Sequence, residues 1–191
     1  MDIQVKIIPT GELQENCYVI YLPEREDALL VDPGDDAHKI QAALGDRQPA
    51  AILMTHGHWD HTGALHAFPG VPIYIHKDDA PMLEKTRFQA GSFVRDVAPR
   101  PQATDFVTDG QILKLAGITI QVLGTPGHTP GGVSYRMGDH LFTGDTLFDG
   151  DYGRTDLPGG SMAQMRESLR MLLSLHGLRA YPGHGSNFII P

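Results

Sequence analysis

A single cysteine, Cys17, occurs among the 191 residues, so an intramolecular disulfide is impossible. It lies in an apolar stretch, residues 16–20, which favours a buried small side chain over a catalytic thiol. A chain of this length can bury about 70% of the surface that its unfolded form exposes, so it needs no disulfide for stability. We expect one domain that spans residues 1–191.

Long apolar runs and an excess of positive charge are also absent. No segment approaches the ~20 apolar residues that cross a membrane, and residues 1–6 lack the basic start and apolar run of a signal peptide. The formal net charge of -8 repels phosphate backbones. We therefore expect a cytoplasmic protein that binds neither membranes nor nucleic acid, and no pattern indicates an oligomeric state.

The sequence does contain many short strand-like runs, bounded by glycine, proline and aspartate turns. We predict strands at residues 5–8, 18–21, 28–31, 51–54, 71–75, 111–115, 118–123, 132–136, 140–142 and 179–181. One helical segment is capped by Asp35 and Asp36 and ends at Gly45. Another begins at a capping box formed by Ser161 and Gln164. Strands mixed with helices in both halves predict an α/β (α+β) fold, with two sheets and helices outside them.

A run of metal-ligand residue types follows the predicted strand at residues 51–54. His56, His58, Asp60 and His61 fall within six residues, a spacing that arises by chance on the order of once in 10^3 chains. Imidazole and carboxylate are ligands of borderline cations such as Zn²⁺. Alternate residues of an extended segment project to the same side, so His56 and His58 can hold one ion. Asp60 and His61 lie beyond that spacing and are better suited to a second ion.

Three further turns, rich in glycine and proline, each present one ligand-type side chain where a predicted strand ends. These side chains are His128, Asp145 and His184. Such turns bring the backbone close and direct one polar side chain outward, as a site at the edges of sheets requires. The sequence therefore predicts that they converge with the histidine-rich segment on one metal centre.

These segments resemble the motifs of the metallo-β-lactamase superfamily, and most closely those of its glyoxalase II branch, the hydroxyacylglutathione hydrolases. The resemblance spans residues 56–184 and implies a four-layer αβ/βα sandwich of two mixed sheets flanked by helices. It also implies two divalent metal ions at the sheet edges, with zinc favoured and iron or manganese as alternatives. The implied ligands are His56, His58 and His128 for the first ion, Asp60, His61 and His184 for the second, and Asp145 as a bridge between the two.

The reaction that this resemblance implies is hydrolysis of a thioester. Two ions about 3.5 to 4 Å apart lower the pKa of a shared water toward 7 and polarise a carbonyl, so a metal-bridging hydroxide can attack the thioester. Asp60 could also accept a proton. The expected partner is a small acyl-thioester such as S-lactoylglutathione. The sequence ends seven residues after His184, and we expect it to lack the C-terminal helical domain with which full-length glyoxalase II enzymes bind glutathione.

Other activities of the same fold compete with this interpretation. Persulfide dioxygenases use one iron, which here would be held by His56, His128 and Asp145, and they are the main alternative. Lactam hydrolysis is disfavoured because antibiotic-hydrolysing relatives typically have a cysteine or no bridging ligand at the position of Asp145. Lactone hydrolysis is also disfavoured, because lactonases carry a tyrosine where this sequence has Phe148. A non-enzymatic binding module would need ions closed off by protein ligands, with no reactive water.

Contacts with the substrate are predicted at four positions. Trp59 lies between candidate ligands and is expected to border the substrate. Tyr152, Arg87 and Arg95 are candidates for contacts with an anionic tail of the substrate. Both arginines fall within residues 77–101, where the apolar spacing has no steady period and predicts a helix followed by a loop.

Overall fold

The computed structural model describes residues 2–84 and 100–191, and within them the chain forms two sheets of six strands each. The strands of the first sheet are β1 (Gln4–Thr10), β2 (Glu15–Tyr21), β3 (Asp27–Val31), β4 (Gln48–Leu53), β5 (Ile73–His76) and β6 (Asp105–Val107). Those of the second are β7 (Ile112–Leu115), β8 (Ile118–Gly124), β9 (Val133–Met137), β10 (His140–Gly144), β11 (Arg179–Pro182) and β12 (Phe188–Ile189). Each sheet is therefore built from consecutive strands of one half of the chain.

The described helices are short and lie between strands. They are α1 (Ala37–Leu44), α2 (Ala80–Glu84), α3 (Met162–Leu173) and two 3₁₀ helices, Trp59–His61 and Gly63–Ala67. None of the described helices is long and apolar enough to cross a membrane. At the start of α3, the Ser161 hydroxyl accepts a hydrogen bond from the Gln164 N–H (3.4 Å), as the predicted capping box requires.

Both sheets are mixed, and their strand directions determine where the loops meet. In the first sheet β1, β2 and β3 pair antiparallel, whereas β3 to β6 pair parallel. In the second sheet β8 and β10 both run antiparallel to β9, and β11 runs parallel to β10. Strands β8, β10 and β11 therefore share one direction, and the loops that follow them leave from the same edge of the sheet.

Three apolar clusters separate four layers. The largest lies between the sheets and combines residues such as Tyr18 and Leu53 of the first sheet with Phe142 of the second. A second cluster packs the outer face of the first sheet against helices, including Ile40 of α1. A third packs the outer face of the second sheet against α3, including Leu172. The structure thus confirms the helix, sheet, sheet, helix sandwich, and the chain forms it because each sheet is apolar on both faces.

The central strands of the first sheet illustrate this two-sided burial. In β3, Leu29 and Val31 face the core between the sheets, while Ala28 and Leu30 face the helices. Strands buried on both faces read as continuous apolar runs, which made them easy to predict from the sequence. Cys17 of β2 is fully buried, as predicted.

Some local predictions were wrong or incomplete. Asp36 directly precedes α1, but its side chain does not cap the helix, because the residue has a left-handed φ of 47° and its carboxylate accepts instead from Gly11 N–H and Lys39 Nζ. Strands β6 and β12 were not predicted, because they have three and two residues and carry no alternating pattern. In the region 77–101 the structure has α2, and residues 85–99 lie outside the described part of the chain.

Candidate metal centre

The candidate ligands follow strands of both sheets. His56 comes shortly after β4, and His128, Asp145 and His184 come after β8, β10 and β11. The shared direction of β8, β10 and β11 brings their loops to one edge, as the sequence predicted for these three residues. The two sheets are hydrogen-bonded at this edge, where Val133 N–H donates to the Thr55 carbonyl (2.9 Å).

One group of ligand-type atoms belongs to His56, His58 and His128. Their candidate ligand atoms all lie within 4.8 Å of one another. His58 Nδ1 and His128 Nε2 are only 2.8 Å apart. The three rings meet edge to face, with centroids 4.6 to 4.9 Å apart. Three imidazoles that converge in this way can supply three nitrogen ligands to a single ion.

A second group consists of Asp60, His61 and His184, whose candidate ligand atoms also lie within 4.8 Å of one another. Asp60 Oδ2 is 3.4 Å from His184 Nε2 and 3.7 Å from His61 Nε2. His61 is fully buried, whereas His184 and Asp60 are partly exposed. This group therefore has one buried side and one side that is open to solvent.

Asp145 lies between the two groups. Its Oδ1 is 3.4 Å from His61 Nε2, and its Oδ2 is 3.5 Å from His128 Nε2 and 3.6 Å from His184 Nε2. One carboxylate thus faces nitrogen atoms of both groups. Gly183 permits this approach, because a Cβ at that position would lie 2.2 Å from Asp145 Oδ1.

Most of the histidines are oriented by contacts on the side away from the centre. The contacts of Nδ1 are His56 to Thr55 Oγ1 (3.0 Å), His61 to Asp32 Oδ2 (3.1 Å), His128 to the Arg154 carbonyl (2.7 Å) and His184 to the Leu13 carbonyl (3.2 Å). These contacts leave Nε2 of each ring directed toward the centre. Metal-ligating histidines usually have such a partner on the second ring nitrogen, which fixes both tautomer and orientation.

Several buried atoms at the centre fit a divalent cation. Among the described side chains, His56 Nε2, His61 Nε2 and Asp145 Oδ1 are buried without a hydrogen-bond partner. A buried polar atom without a partner costs free energy, which coordination to an ion would recover. The set of imidazole nitrogens and carboxylate oxygens also suits borderline metals such as zinc and iron. The residues present therefore fit a metal centre.

Burial and neighbouring charges set the protonation of these groups. Burial, with His128 beside it, lowers the pKa of His58 to about 4, and burial together with His61 lowers the pKa of His56. Burial alone would raise the pKa of Asp145, but His61 and the other histidines hold it well below its usual range. Neutral imidazoles next to an ionised carboxylate are the forms that bind metal.

His61 differs from the other buried histidines. Burial opposes its charge, yet Asp145 and Asp60 together raise its pKa well above the usual value. The same carboxylates that favour a proton on His61 would favour a metal cation at the same place. The surroundings of His61 are therefore those of a cation site.

Two residues behind His61 were not identified from the sequence. Asp32 follows β3, accepts from Thr55 N–H (2.7 Å) through Oδ1, and contacts His61 through Oδ2. The sequence did contain a signal for Asp32, because this residue, like the candidate ligands, follows a buried strand and lies in a turn, here with Pro33 and Gly34. Glu15 is fully buried, and its Oε1 lies 3.6 Å from His61 Nδ1. It opens β2, and no local pattern distinguishes it.

A cavity of about 780 Å³ opens onto both groups. Five candidate ligands line it: His58, Asp60, His128, Asp145 and His184. The rest of the lining is mostly apolar and consists of Leu13, Trp59, Pro81, Met82, Phe148, Leu157 and Pro158, together with Gly153 and the charged residues Asp78 and Arg154. Trp59 therefore borders this space. Tyr152 is 43% exposed and is not among the described residues that line the cavity, and its contact with the substrate stays a prediction. Arg87 and Arg95 lie outside the described residues.

A family model described as the metallo-beta-lactamase superfamily matches residues 10–184. The chain belongs to this superfamily. The match includes every candidate ligand and nearly all strands of both sheets, so the superfamily resemblance inferred from the motifs is confirmed. Membership also confirms the predicted fold class.

Two curated bacterial relatives cover almost the whole chain. The probable metallo-hydrolase YqgX of Bacillus subtilis is 34% identical, with 93% of this chain and 88% of YqgX aligned. The hydroxyacylglutathione hydrolase GloC of Haemophilus influenzae is 35% identical, with 96% of this chain and 92% of GloC aligned. Both relatives are named as hydrolases, and this chain belongs to the same metallo-hydrolase superfamily.

Several solved structures resemble this chain closely. The B3 metallo-beta-lactamase BLEG-1 has a TM-score of 0.90 and 35% identity, covering 98% of this chain and 94% of BLEG-1. TTHA1623, solved in a di-iron-bound form, has a TM-score of 0.88 and 36% identity, covering 97% and 95%. ETHE1 from Myxococcus xanthus has a TM-score of 0.80 and 27% identity, covering 98% and 80%.

Proposed function

We propose that this protein is a binuclear metal-dependent thioester hydrolase of the glyoxalase II type. The observation that carries the proposal is the position of Asp145, whose carboxylate faces His128 of one group and His61 of the other. A shared carboxylate is what keeps two ions adjacent. In support, TTHA1623 was solved with two irons, and GloC is named for hydrolysis of hydroxyacylglutathione.

The chemistry follows from the ligand set and the cavity. When bound, two divalent ions supply a water of lowered pKa and polarise the carbonyl of the substrate. Hydrolysis forms a C–O bond, breaks the C–S bond and releases a carboxylate and a thiol. Because a thiolate is a good leaving group, little general-acid assistance is needed before it takes up a proton to become the thiol. Asp60 lines the cavity beside His184, and in the proposed reaction it would accept the proton that is released.

The apolar walls of the cavity have a role in the same reaction. Trp59, Phe148 and Leu157 would cover the acyl group and exclude bulk water from the scissile bond. Lower local polarity there would strengthen the attraction between the developing oxyanion and the positive charge that bound divalent ions would supply. The proposed substrate is therefore a small acyl-thioester, with S-lactoylglutathione as the probe. The proposed enzyme is a single domain and zinc is the favoured metal.

A mononuclear iron persulfide dioxygenase is the alternative function. It would use His56, His128 and Asp145, and it would leave Asp60, His61 and His184 without a metal role. The buried Nε2 of His61 has no hydrogen-bond partner and faces Asp145, which favours the binuclear centre.

The deciding experiment measures metal per chain and then follows thiol release from S-lactoylglutathione with and without oxygen. We expect about two ions and thiol release that does not depend on oxygen. One iron per chain with oxygen-dependent turnover of glutathione persulfide would establish the dioxygenase instead. Because BLEG-1 is described as a lactamase, a chromogenic cephalosporin is assayed in parallel, and faster turnover of it than of the thioester would also overturn the proposal.

Ligand variants make the test specific to the centre. His58→Ala and Asp145→Ala should each lower thiol release by more than about 100-fold while the chain stays folded. The matched control is His38→Ala, because His38 is exposed on α1 and belongs to neither group. Full activity of His58→Ala would contradict the proposed ligands of the first ion.

A further inference from the structure

A buried carboxylate outside the ligand set joins two of the ligand loops. Asp79 directly precedes α2 and is 0% exposed. Its Oδ2 accepts from Gly57 N–H (3.0 Å), and its Oδ1 accepts from Gly131 N–H (2.7 Å). Removing a carboxylate from water is costly, and these two hydrogen bonds offset that cost. No local pattern in the sequence distinguishes this residue.

The two N–H groups belong to the loops that carry the first group of ligands. Gly57 lies between His56 and His58, and Gly131 comes three residues after His128. One loop follows β4 of the first sheet and the other follows β8 of the second. The Asp79 side chain therefore connects two loops that are distant in sequence and belong to different sheets.

The contacts are tight enough to require glycine in both loops. A Cβ at Gly57 would lie 2.7 Å from the Asp79 carbonyl oxygen, and a Cβ at Gly131 would lie 2.7 Å from Asp79 Oδ1. Real side chains do not approach so closely. Any larger residue would push Asp79 away from the loops and change the spacing between them.

From this geometry we infer that Asp79 is a positioning residue for one half of the centre: it sets the separation between the loop of His56 and His58 and the loop of His128. The inference rests on the proposed binuclear centre. Asp79 makes no contact of this kind with the second group, where His61 and His184 are oriented by Asp32 and the Leu13 carbonyl. Its effect should therefore be confined to the first ion.

Asp79→Asn tests this role with almost no change of shape. A carboxamide has one acceptor oxygen, so one of the two N–H groups loses its acceptor and faces an NH₂ group. The readout is affinity for Zn²⁺, measured by competition with a chromophoric chelator and without any assay of activity. The substitution is made in two backgrounds. His184→Ala leaves the first ion to be measured, and His58→Ala leaves the second.

We expect Asp79→Asn to weaken Zn²⁺ binding by about 10- to 100-fold in the His184→Ala background, as is typical for residues that orient metal ligands. In the His58→Ala background the change should be less than about threefold, because Asp79 does not touch that group. The matched control is Asp109→Asn, since Asp109 likewise accepts from a glycine, Gly124 N–H (2.8 Å), but contacts neither loop. It should change neither affinity.

A second variant covers the case in which Asp79→Asn does not fold. Gly131→Ala displaces the same carboxylate from the other side and should give the same selective loss. Equal weakening in both backgrounds would mean that Asp79 only stabilises the fold, and it would overturn the inference, as would no weakening at all. Binding of fewer than two ions by the unmodified chain would overturn the proposed binuclear centre itself. This result comes from the unmodified chain alone, so it is distinguishable from any outcome of the Asp79 and Gly131 variants.

Discussion

Replacement of Gly183 by alanine should damage the centre without removing any ligand. A Cβ at this position would lie 2.2 Å from Asp145 Oδ1 and 2.7 Å from His61 Cε1. Gly183 is not among the glycines with a positive φ, so the backbone itself tolerates alanine. The effect of the substitution is therefore purely a steric displacement of two candidate ligands.

The size of the effect follows from the overlap. Non-bonded heavy atoms are most stable at about 3.5 Å, so the carboxylate must move by about 1 Å. A displacement of about 1 Å at a reacting centre lowers the rate by about 100-fold, equivalent to about 2.7 kcal/mol of transition-state stabilisation. We expect this loss in kcat/KM for thioester hydrolysis, together with weaker binding of both ions, because Asp145 faces both groups.

Gly124→Ala is the matched control for this prediction. Gly124 ends β8 and also lacks a positive φ, but the nearest atoms to its Cβ belong to the exposed Asp109 side chain, at 3.1 Å or more. It should keep activity and metal content close to those of the unmodified chain. If Gly183→Ala retained full activity and two tightly bound ions, the position of Asp145 between the groups would be refuted.

Two further predictions concern stability. Leu172→Ala should lower the free energy of unfolding, measured by urea titration, by about 2 to 5 kcal/mol, because Leu172 is 0% exposed between α3 and the second sheet. The control Leu173→Ala changes a position that is 41% exposed and should cost less than about 1 kcal/mol. Equal effects of the two substitutions would contradict the packing of α3. Removal of metal with a chelator should lower the melting temperature, and added Zn²⁺ should restore it. A ligand present at about 100 times its Kd adds about 2.7 kcal/mol to the free energy of unfolding. An unchanged melting curve would argue against ions at the buried nitrogens that have no hydrogen-bond partner.

The sequence carried most of the information needed for the candidate ligands and less for the residues that support them. His128, Asp145 and His184 were recognisable because each follows an apolar strand and stands in a glycine-rich turn. Asp79 was not, because its role depends on a hydrogen bond to Gly131, 52 residues away, and local spacing carries no trace of such a contact. The cap assigned to Asp36 failed for a similar reason, since Gly11 and Lys39 compete for its carboxylate.

The allocation of the two sheets to the two halves of the chain has a consequence for assembly. Residues 4–107 supply the first sheet and residues 112–189 the second, yet each ligand group draws on both halves. His56 and His58 meet His128 in one group, and Asp60 and His61 meet His184 in the other. Neither ion could be fully coordinated before the two halves of the chain pack together, so metal binding would indicate that folding is complete. A substitution that loosens the packing between the sheets would therefore weaken metal binding even where it lies far from the ligands.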